Sequence, residues 1–245
     1  MDYIRTDADG QLTFTQSTEF LKIPSCLYGF VNESTSTSQS VSGRTVIRFS
    51  GSLKADDEDL TCHCCGKKMH VNNHPGITLR HLPIGGYLSD VSFTRTQYVC
   101  PECHSTRMQY ISFKAAGHRI TVELYQYVCD LLACGTYTNK EVAELAGLGK
   151  NVVKAIDKAR LQDLYTTPDG KLIKPEKQAK FLGIDEFKLH NGHRYATHII
   201  DMETGHILWI AGGKKKQVVY DFIEHVGLEW MDHVEAVACD MNSDS

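Results

Sequence analysis

The chain has 245 residues, of which 42% are hydrophobic and 23% are charged. This is the composition of an ordinary globular protein, and it excludes a collagen, a coiled coil and an intrinsically disordered chain. No apolar run approaches the roughly 20 residues that a membrane-spanning helix needs, and the first residues lack the pattern of a secretory signal. We therefore expect a cytoplasmic protein without a membrane partner. In that compartment the nine cysteines are not expected to form a disulfide framework, and some of them are candidate metal ligands.

The net charge of −4 is distributed unevenly along the chain. Residues 61–120 carry seven Lys and Arg against two Asp and Glu, a net charge of +5, whereas residues 181–245 carry five against eleven, a net charge of −6. The basic segment could face phosphates, but the acidic segment could do so only through bound cations. Chance variation in surface charge would give the same pattern, so charge alone does not choose between these interpretations.

The sequence of residues 1–60 does not define a structure or a function for this region. The stretch from Glu33 to Gly43 consists largely of Ser and Thr, a composition too polar to bury, and predicts a loop. Thr45 to Ser50 predicts a short strand.

Two C-x-x-C pairs lie in residues 61–113, a segment that is otherwise strand-like. They are Cys62 with Cys65 and Cys100 with Cys103. Two residues between thiolates allow both sulfurs to reach one tetrahedral zinc ion, so the spacing predicts a four-cysteine site in a zinc-ribbon-like β module. Four unrelated reduced cysteines are the alternative without a metal. Other possible ligands in the segment are Cys64, His63, His70, His74 and His104.

The hydrophobic period changes near residue 119, and three helices are predicted over residues 119–165. Gly135 and Gly147 separate the helices, and Thr138 with Glu141 predicts a capping box at the start of the second. This order is typical of a helix-turn-helix, in which the third helix contacts DNA. A small helical bundle with a solvated basic face would give the same pattern. The candidate DNA-binding residues on the third helix are Asn151, Lys154, Lys158 and Arg160.

Residues 166–180 predict a basic linker, and residues 181–245 predict elements in the order β-β-β-α-β. Asp185 lies within the first of these strands and Asp240 ends the last. A carboxylate among buried positions is costly unless it is paired or holds a metal, so both are candidate ligands of a divalent cation. A strand-end Asp that pairs with Lys or Arg is the structural alternative. Glu186 would face the opposite side of its strand and is a poorer candidate. Taken together, these segments predict a multidomain α+β protein.

With these parts in this order, the chain resembles the ISL3 family of bacterial insertion-sequence transposases. The matching stretches include Cys62 to Gly66, Tyr98 to Cys103, Tyr137 to Leu145, Leu182 to Phe187 and Val237 to Asp244. The resemblance implies three folded parts. These are a zinc-binding domain over residues 61–113, a helix-turn-helix over 119–165 and the first part of a ribonuclease-H-like DDE domain over 181–245.

The resemblance also implies site residues, cofactors and partners. The zinc ligands would be Cys62, Cys65, Cys100 and Cys103, which hold a structural Zn²⁺. Asp185 and Asp240 would be the first two acidic residues of a triad that binds Mg²⁺ or Mn²⁺ for DNA strand cleavage and transfer. The implied partners are double-stranded DNA at the transposon ends and further copies of the chain, as a homo-oligomer on DNA. The implied location is the bacterial cytoplasm, at the nucleoid when the protein is bound.

The third acidic residue of the family lies beyond Asp240, on a later helix. The expectation is therefore an incomplete ribonuclease-H-like domain, in a chain truncated after the second acidic residue that binds DNA without cleaving it. Two alternative functions stay open. One is a non-catalytic zinc and helix-turn-helix protein that regulates transposition or competes with the transposase. The other is a nuclease built on the same sheet.

Overall fold

The computed structural model describes residues 5–6, 12–13, 27–54, 60–189, 195–213 and 216–239. The chain divides into two compact units, residues 1–162 and residues 163–245. Both consist of β-sheet and a few helices, so the coarse prediction of an α+β protein is confirmed. Within the described ranges, no helix is both long and apolar enough to cross a membrane.

The strands of the first unit form three sheets. β1 pairs with β2, a four-stranded sheet has the order β3-β4-β7-β6, and a three-stranded sheet has the order β5-β8-β9. In the four-stranded sheet β4 and β7 are parallel, and the other neighbours are antiparallel. In chain order the strands are β1 (Arg5–Thr6), β2 (Leu12–Thr13), β3 (Phe30–Gln39), β4 (Thr45–Leu53), β5 (His70–Asn73), β6 (Gly76–Ile84), β7 (Tyr87–Thr94), β8 (Gln97–Val99) and β9 (Thr106–Met108).

The Ser- and Thr-rich stretch is a strand and not a loop. The loop prediction is wrong for Glu33 to Gln39, which lie in β3 and pair with β4. β3 is an edge strand with largely exposed or half-exposed side chains, so it needs backbone pairing rather than apolar side chains. The strand predicted from Thr45 to Ser50 is confirmed as part of β4. The four-stranded sheet thus joins chain segments from both sides of residue 60.

Three helices follow the sheets, as predicted: α1 (Val122–Ala133), α2 (Asn139–Ala146) and α3 (Lys150–Tyr165). Thr138 and Glu141 form the predicted capping box, and Gly147 ends α2 in the left-handed region with φ of 65°. A Cβ at Gly147 would overlap the side chain of Leu88 in β7. Glycine, which has no Cβ, therefore allows this turn to pack closely against the sheet. The helices share a core of buried side chains, including Leu124, Val128, Val142, Val153 and Ile156.

The second unit contains one mixed sheet and two helices. Its elements are β10 (Phe181–Lys188), β11 (Tyr195–Asp201), β12 (Ile207–Gly212), α4 (Gln217–Val226), α5 (Leu228–Met231) and β13 (Ala236–Cys239). The sheet order is β12-β11-β10-β13, with β10 antiparallel to β11 and parallel to β13. The predicted order of strands and helix is therefore present, with the short α5 in addition.

One face of this sheet carries the core of the second unit. Leu182 of β10 and Ile199 of β11 pack with Phe222 and Val226 of α4. Because successive residues of a strand point to opposite faces, Asp185 lies on the face away from α4. The fold thus separates the hydrophobic core from the face that carries the candidate carboxylate.

Candidate functional site

The two predicted cysteine pairs meet at one point of the first unit. The Sγ atoms of Cys62, Cys65, Cys100 and Cys103 all lie within 4.8 Å of one another. The Sγ–Sγ distance is 3.6 Å between Cys62 and Cys103, 3.4 Å between Cys65 and Cys100, and 3.6 Å between Cys65 and Cys103. A tetrahedral zinc ion with Zn–S bonds near 2.3 Å requires sulfurs about 3.8 Å apart. The cluster therefore fits a metal ion bound by four thiolates.

Ser105 lies beside this cluster and favours ionised sulfur. Its Oγ is 3.0 Å from Sγ of Cys62 and 3.2 Å from Sγ of Cys103. Hydrogen bonds from Ser105, and then from the backbone N–H groups of Cys64 and Cys65, lower the pKa of Cys62 to about 5. The Ser105 hydroxyl likewise lowers the pKa of Cys103.

The pKa of Cys65 moves the other way, to about 12. The backbone N–H of Lys67 acts to lower it, but the adjacent thiols, Cys100 first, together with desolvation, raise it. Sulfurs this close cannot all ionise unless a cation neutralises them. The four thiols therefore form a group that could hold a metal ion.

The two C-x-x-C turns, here called the knuckles, have the same backbone hydrogen bonds. The N–H of Gly66 donates to the carbonyl of Cys62, and the N–H of His104 donates to the carbonyl of Cys100. Both residues have positive φ, 71° at Gly66 and 56° at His104. Glycine adopts this conformation freely, whereas a residue with a Cβ is strained there. Among the described residues, His104 is the one non-glycine with positive φ.

Replacement of His104 by glycine is expected to stabilise the second knuckle. His104→Gly removes the left-handed strain, and the gain in unfolding free energy should be about 0.5–1 kcal/mol after the entropy of glycine is subtracted. Denaturant unfolding of the metal-loaded protein measures it. Gly66→His places the same strain in the first knuckle and should destabilise the protein by a similar amount. An unchanged or lower stability of His104→Gly would contradict this account of the knuckle.

The other candidate ligands in this region do not join the cluster. Cys64 is exposed, and the side chains of His63, His70 and His74 are exposed as well. Across the part of the chain that the structure describes, the four cysteines are the one group of three or more His, Cys, Asp or Glu side chains close enough to hold a metal ion.

Helix α3 presents a basic stripe on the side away from its core. Val153 and Ile156 are buried, whereas Lys150, Lys154 and Lys158 are exposed at successive intervals of four residues. This spacing places the three ammonium groups on one face of the helix, about 6 Å apart along its axis.

Two further residues of α3 were predicted to bind DNA. Asn151 is exposed next to the stripe. Arg160 is half-buried, and its Nε and one terminal nitrogen donate to Oδ1 of Asp157 at 3.1 and 2.8 Å. The structure thus leaves Asn151, Lys154 and Lys158 accessible, while Arg160 is engaged within its own helix.

Asp185 is exposed, contrary to the expectation from the sequence. The sequence suggested a carboxylate among buried positions, but the side chain lies on the open face of β10. Its Oδ1 accepts a hydrogen bond of 2.7 Å from the N–H of Glu186, and among the described residues no Lys or Arg forms an ion pair with it. Glu186 points to the other face, as predicted. Asp240 lies outside the described residues.

The register of β10 defines which residues lie beside Asp185. Its partner in β11 is His198, and the last pair that β10 forms with β13 is Ile184 with Cys239. The imidazole of His198 packs against Phe187, with ring centroids 5.4 Å apart. Nδ1 of His198 is buried without a hydrogen-bond partner.

Comparison with known proteins finds similar transposases. A family model described as a transposase, of the DDE type and the ISL3 group, matches residues 182–244. The transposase for insertion sequence element IS1001 of Bordetella parapertussis is 30% identical over 202 residues, which are 82% of this chain and 47% of that protein. The chain is thus similar to transposases of the ISL3 family. It spans about half the length of this curated relative. No solved structure matches it.

The part that matches the family model begins in β10 and includes Asp185, α4 and β13. Ser105 and His198 were not identified from the sequence. Ser105 follows a C-x-x-C pair by two residues, a position from which a hydroxyl can reach both thiolates, and that spacing could have indicated it. His198 had no such signal, because its place beside Asp185 depends on the register of two strands.

Proposed function

We propose that the first unit binds double-stranded DNA at transposon ends and that the sheet of the second unit carries the metal site for strand cleavage and transfer. The observation that supports this most is the family match over the strands that hold Asp185, on a sheet face that α4 leaves open. The relative of 30% identity is named for the same activity on an insertion sequence. The domain boundaries at residues 61–113, 119–165 and 181–245 belong to this proposal.

The metal of the four-cysteine cluster is proposed to be a structural Zn²⁺. Four thiolates and no water position describe a closed site, which is typical of structural zinc. The ion would hold the two knuckles together, since only short strands and a small core of Cys62, Met69, Tyr98 and Cys100 otherwise connect them. The site would thereby fix the three-stranded sheet β5-β8-β9.

Helices α2 and α3 are proposed to act as a helix-turn-helix. Three residues, 147–149, separate them, and the left-handed Gly147 gives the short turn that such a pair requires. The recognition helix would be α3, with Lys154 and Lys158 at phosphates or guanines and Asn151 at adenine. Arg160 belongs to the predicted set, and DNA would have to displace Asp157 to engage it.

Asp185 and Asp240 are proposed to share the catalytic cations. Asp240 follows in sequence directly after Cys239, the last residue of β13, and β13 is the parallel neighbour of β10. Neighbouring strands lie about 4.8 Å apart, so carboxylates on them can hold one ion. Asp185 would keep that ion next to the scissile phosphate, and Mg²⁺ or Mn²⁺ bound there supplies an activated water and stabilises the leaving oxygen.

Asp185→Asn is expected to abolish strand transfer in the intact transposase while leaving DNA binding unchanged. The amide keeps the shape of the side chain but removes its charge, so activity should fall by about a hundredfold or more. A strand-transfer assay with the DNA ends of the element itself measures this, with gel-shift binding in parallel. Glu186→Gln, on the other face of the same strand, is the matched control and should retain activity.

Two outcomes would count against this proposal. Full activity of Asp185→Asn would contradict the site. An intact transposase that binds the ends tightly but never cleaves them would instead support the alternative function, a non-catalytic regulator or competitor of transposition.

A further inference from the structure

His198 lies beside Asp185 on β11, the neighbour of β10 on the side opposite β13. The two residues are direct partners across the antiparallel pair of β10 and β11. Directly opposite side chains share a face, with Cβ atoms about 4.5–5.5 Å apart. That face is the one away from α4, so Asp185 is exposed there and open to ions from solvent.

The imidazole of His198 has one nitrogen, Nδ1, that takes part in no hydrogen bond among the described residues. This nitrogen is buried, and the ring packs against Phe187 at 5.4 Å between centroids. A buried nitrogen without a partner is uncommon in folded proteins, and a missing ion or water is a usual reason for one. Asp185 likewise has spare acceptor capacity, because its hydrogen bond of 2.7 Å from the Glu186 N–H uses one carboxylate oxygen.

We propose that His198 and Asp185 together form a mixed nitrogen and oxygen site that selects a first-row transition-metal ion over Mg²⁺. Mg²⁺ takes oxygen ligands and keeps several waters, whereas neutral imidazole is a ligand for transition-metal ions. An imidazole beside the carboxylate therefore raises the affinity for Mn²⁺ or a later ion and leaves that for Mg²⁺ unchanged. This inference rests on the proposed catalytic role of Asp185 and adds the identity of the cation.

Binding of Mn²⁺ to the zinc-loaded, DNA-free chain tests the site without any activity assay. Pulsed electron paramagnetic resonance shows whether an imidazole nitrogen is bonded to the Mn²⁺, and titration gives the affinities for Mn²⁺ and Mg²⁺. We expect a nitrogen coupling in the wild type that disappears in His198→Ile. The Mn²⁺ affinity of that variant should fall on the order of tenfold, with the Mg²⁺ affinity unchanged.

Three further variants make the outcome unambiguous. His206→Asn, at an exposed histidine in the turn between β11 and β12, should keep both the coupling and the affinity. His198→Gln tests the same loss with a polar side chain, and circular dichroism checks that both His198 variants are folded. Asp185→Asn should lose Mn²⁺ binding altogether.

The failures of the two proposals are distinguishable. The role of His198 is overturned if Mn²⁺ binding depends on Asp185 but shows no nitrogen coupling. It is also overturned if His198→Ile binds Mn²⁺ with the same affinity as the wild type. Either result leaves the catalytic proposal intact. Mn²⁺ binding that is unchanged in Asp185→Asn overturns both.

Discussion

Cys100→Ser should release the metal ion and unfold the three-stranded sheet of the first unit. Cys100 is completely buried in the cluster, and its sulfur lies 3.4 Å from that of Cys65. Structural zinc sites of this kind contribute about 10–16 kcal/mol of apparent binding free energy at neutral pH, which is folding free energy for a small domain. Metal analysis should find a single zinc ion in the wild-type chain and none in the variant. Denaturant unfolding should show a lower stability of the first unit.

Cys64→Ser is the control, because Cys64 lies in the other knuckle, between Cys62 and Cys65, but is exposed and outside the cluster. It should retain zinc and stability. Retention of zinc by Cys100→Ser, or its loss in Cys64→Ser, would show that the knuckles bind metal in another way.

The double variant Lys154→Ala, Lys158→Ala should bind DNA more weakly than the wild type, and its DNA affinity should depend less on salt concentration. Both ammonium groups are exposed on the basic stripe of α3. Each lysine that neutralises a phosphate adds about 0.9 to the slope of log affinity against log salt concentration, so the double variant should lose about 1.8 from that slope. Fluorescence anisotropy of labelled duplex DNA over a series of salt concentrations gives the slope.

Lys54→Ala is the control for a general loss of positive charge, since Lys54 is exposed just after β4, away from the helices in sequence. It should leave the slope unchanged. An equal loss in Lys54→Ala, or an unchanged slope in the double variant, would contradict the assignment of α3 as the DNA-binding helix.

Local chemistry explains which features the sequence predicts well. The capping box at Thr138 and Glu141 depends only on residues three apart at a helix start, so its sequence pattern determines its structure. The C-x-x-C spacing likewise brings each pair of thiols together. The meeting of the two pairs across the 34 residues from 66 to 99 follows because a tetrahedral ion needs four ligands, and each pair offers two.

Features that depend on distant strands were missed or misjudged. β3 forms from Ser- and Thr-rich sequence because β4 supplies its hydrogen bonds, and composition alone does not reveal that neighbour. Asp185 was expected among buried residues, because the sequence of a strand does not show which of its faces a helix covers. His198 comes beside it only through the register of β10 with β11.

Side-chain pairing within a helix is a third reason why a residue's role differs from the one predicted from the sequence. Arg160 was predicted to bind DNA from its charge and helix position, but Asp157 lies three residues before it and accepts two of its hydrogen bonds. The pair has the i, i+3 spacing that brings side chains together on a helix, so the sequence contained this signal.

We propose that the zinc and helical parts of the chain bind DNA and that the sheet that carries Asp185 provides metal catalysis. One binding experiment tests it most directly: anisotropy titration of the terminal DNA of the element with the wild type, Cys100→Ser and Asp185→Asn. We predict that Asp185→Asn binds as tightly as the wild type and that Cys100→Ser loses specific binding. Equal binding by Cys100→Ser, or loss of binding in Asp185→Asn, would contradict the division of function proposed for this chain.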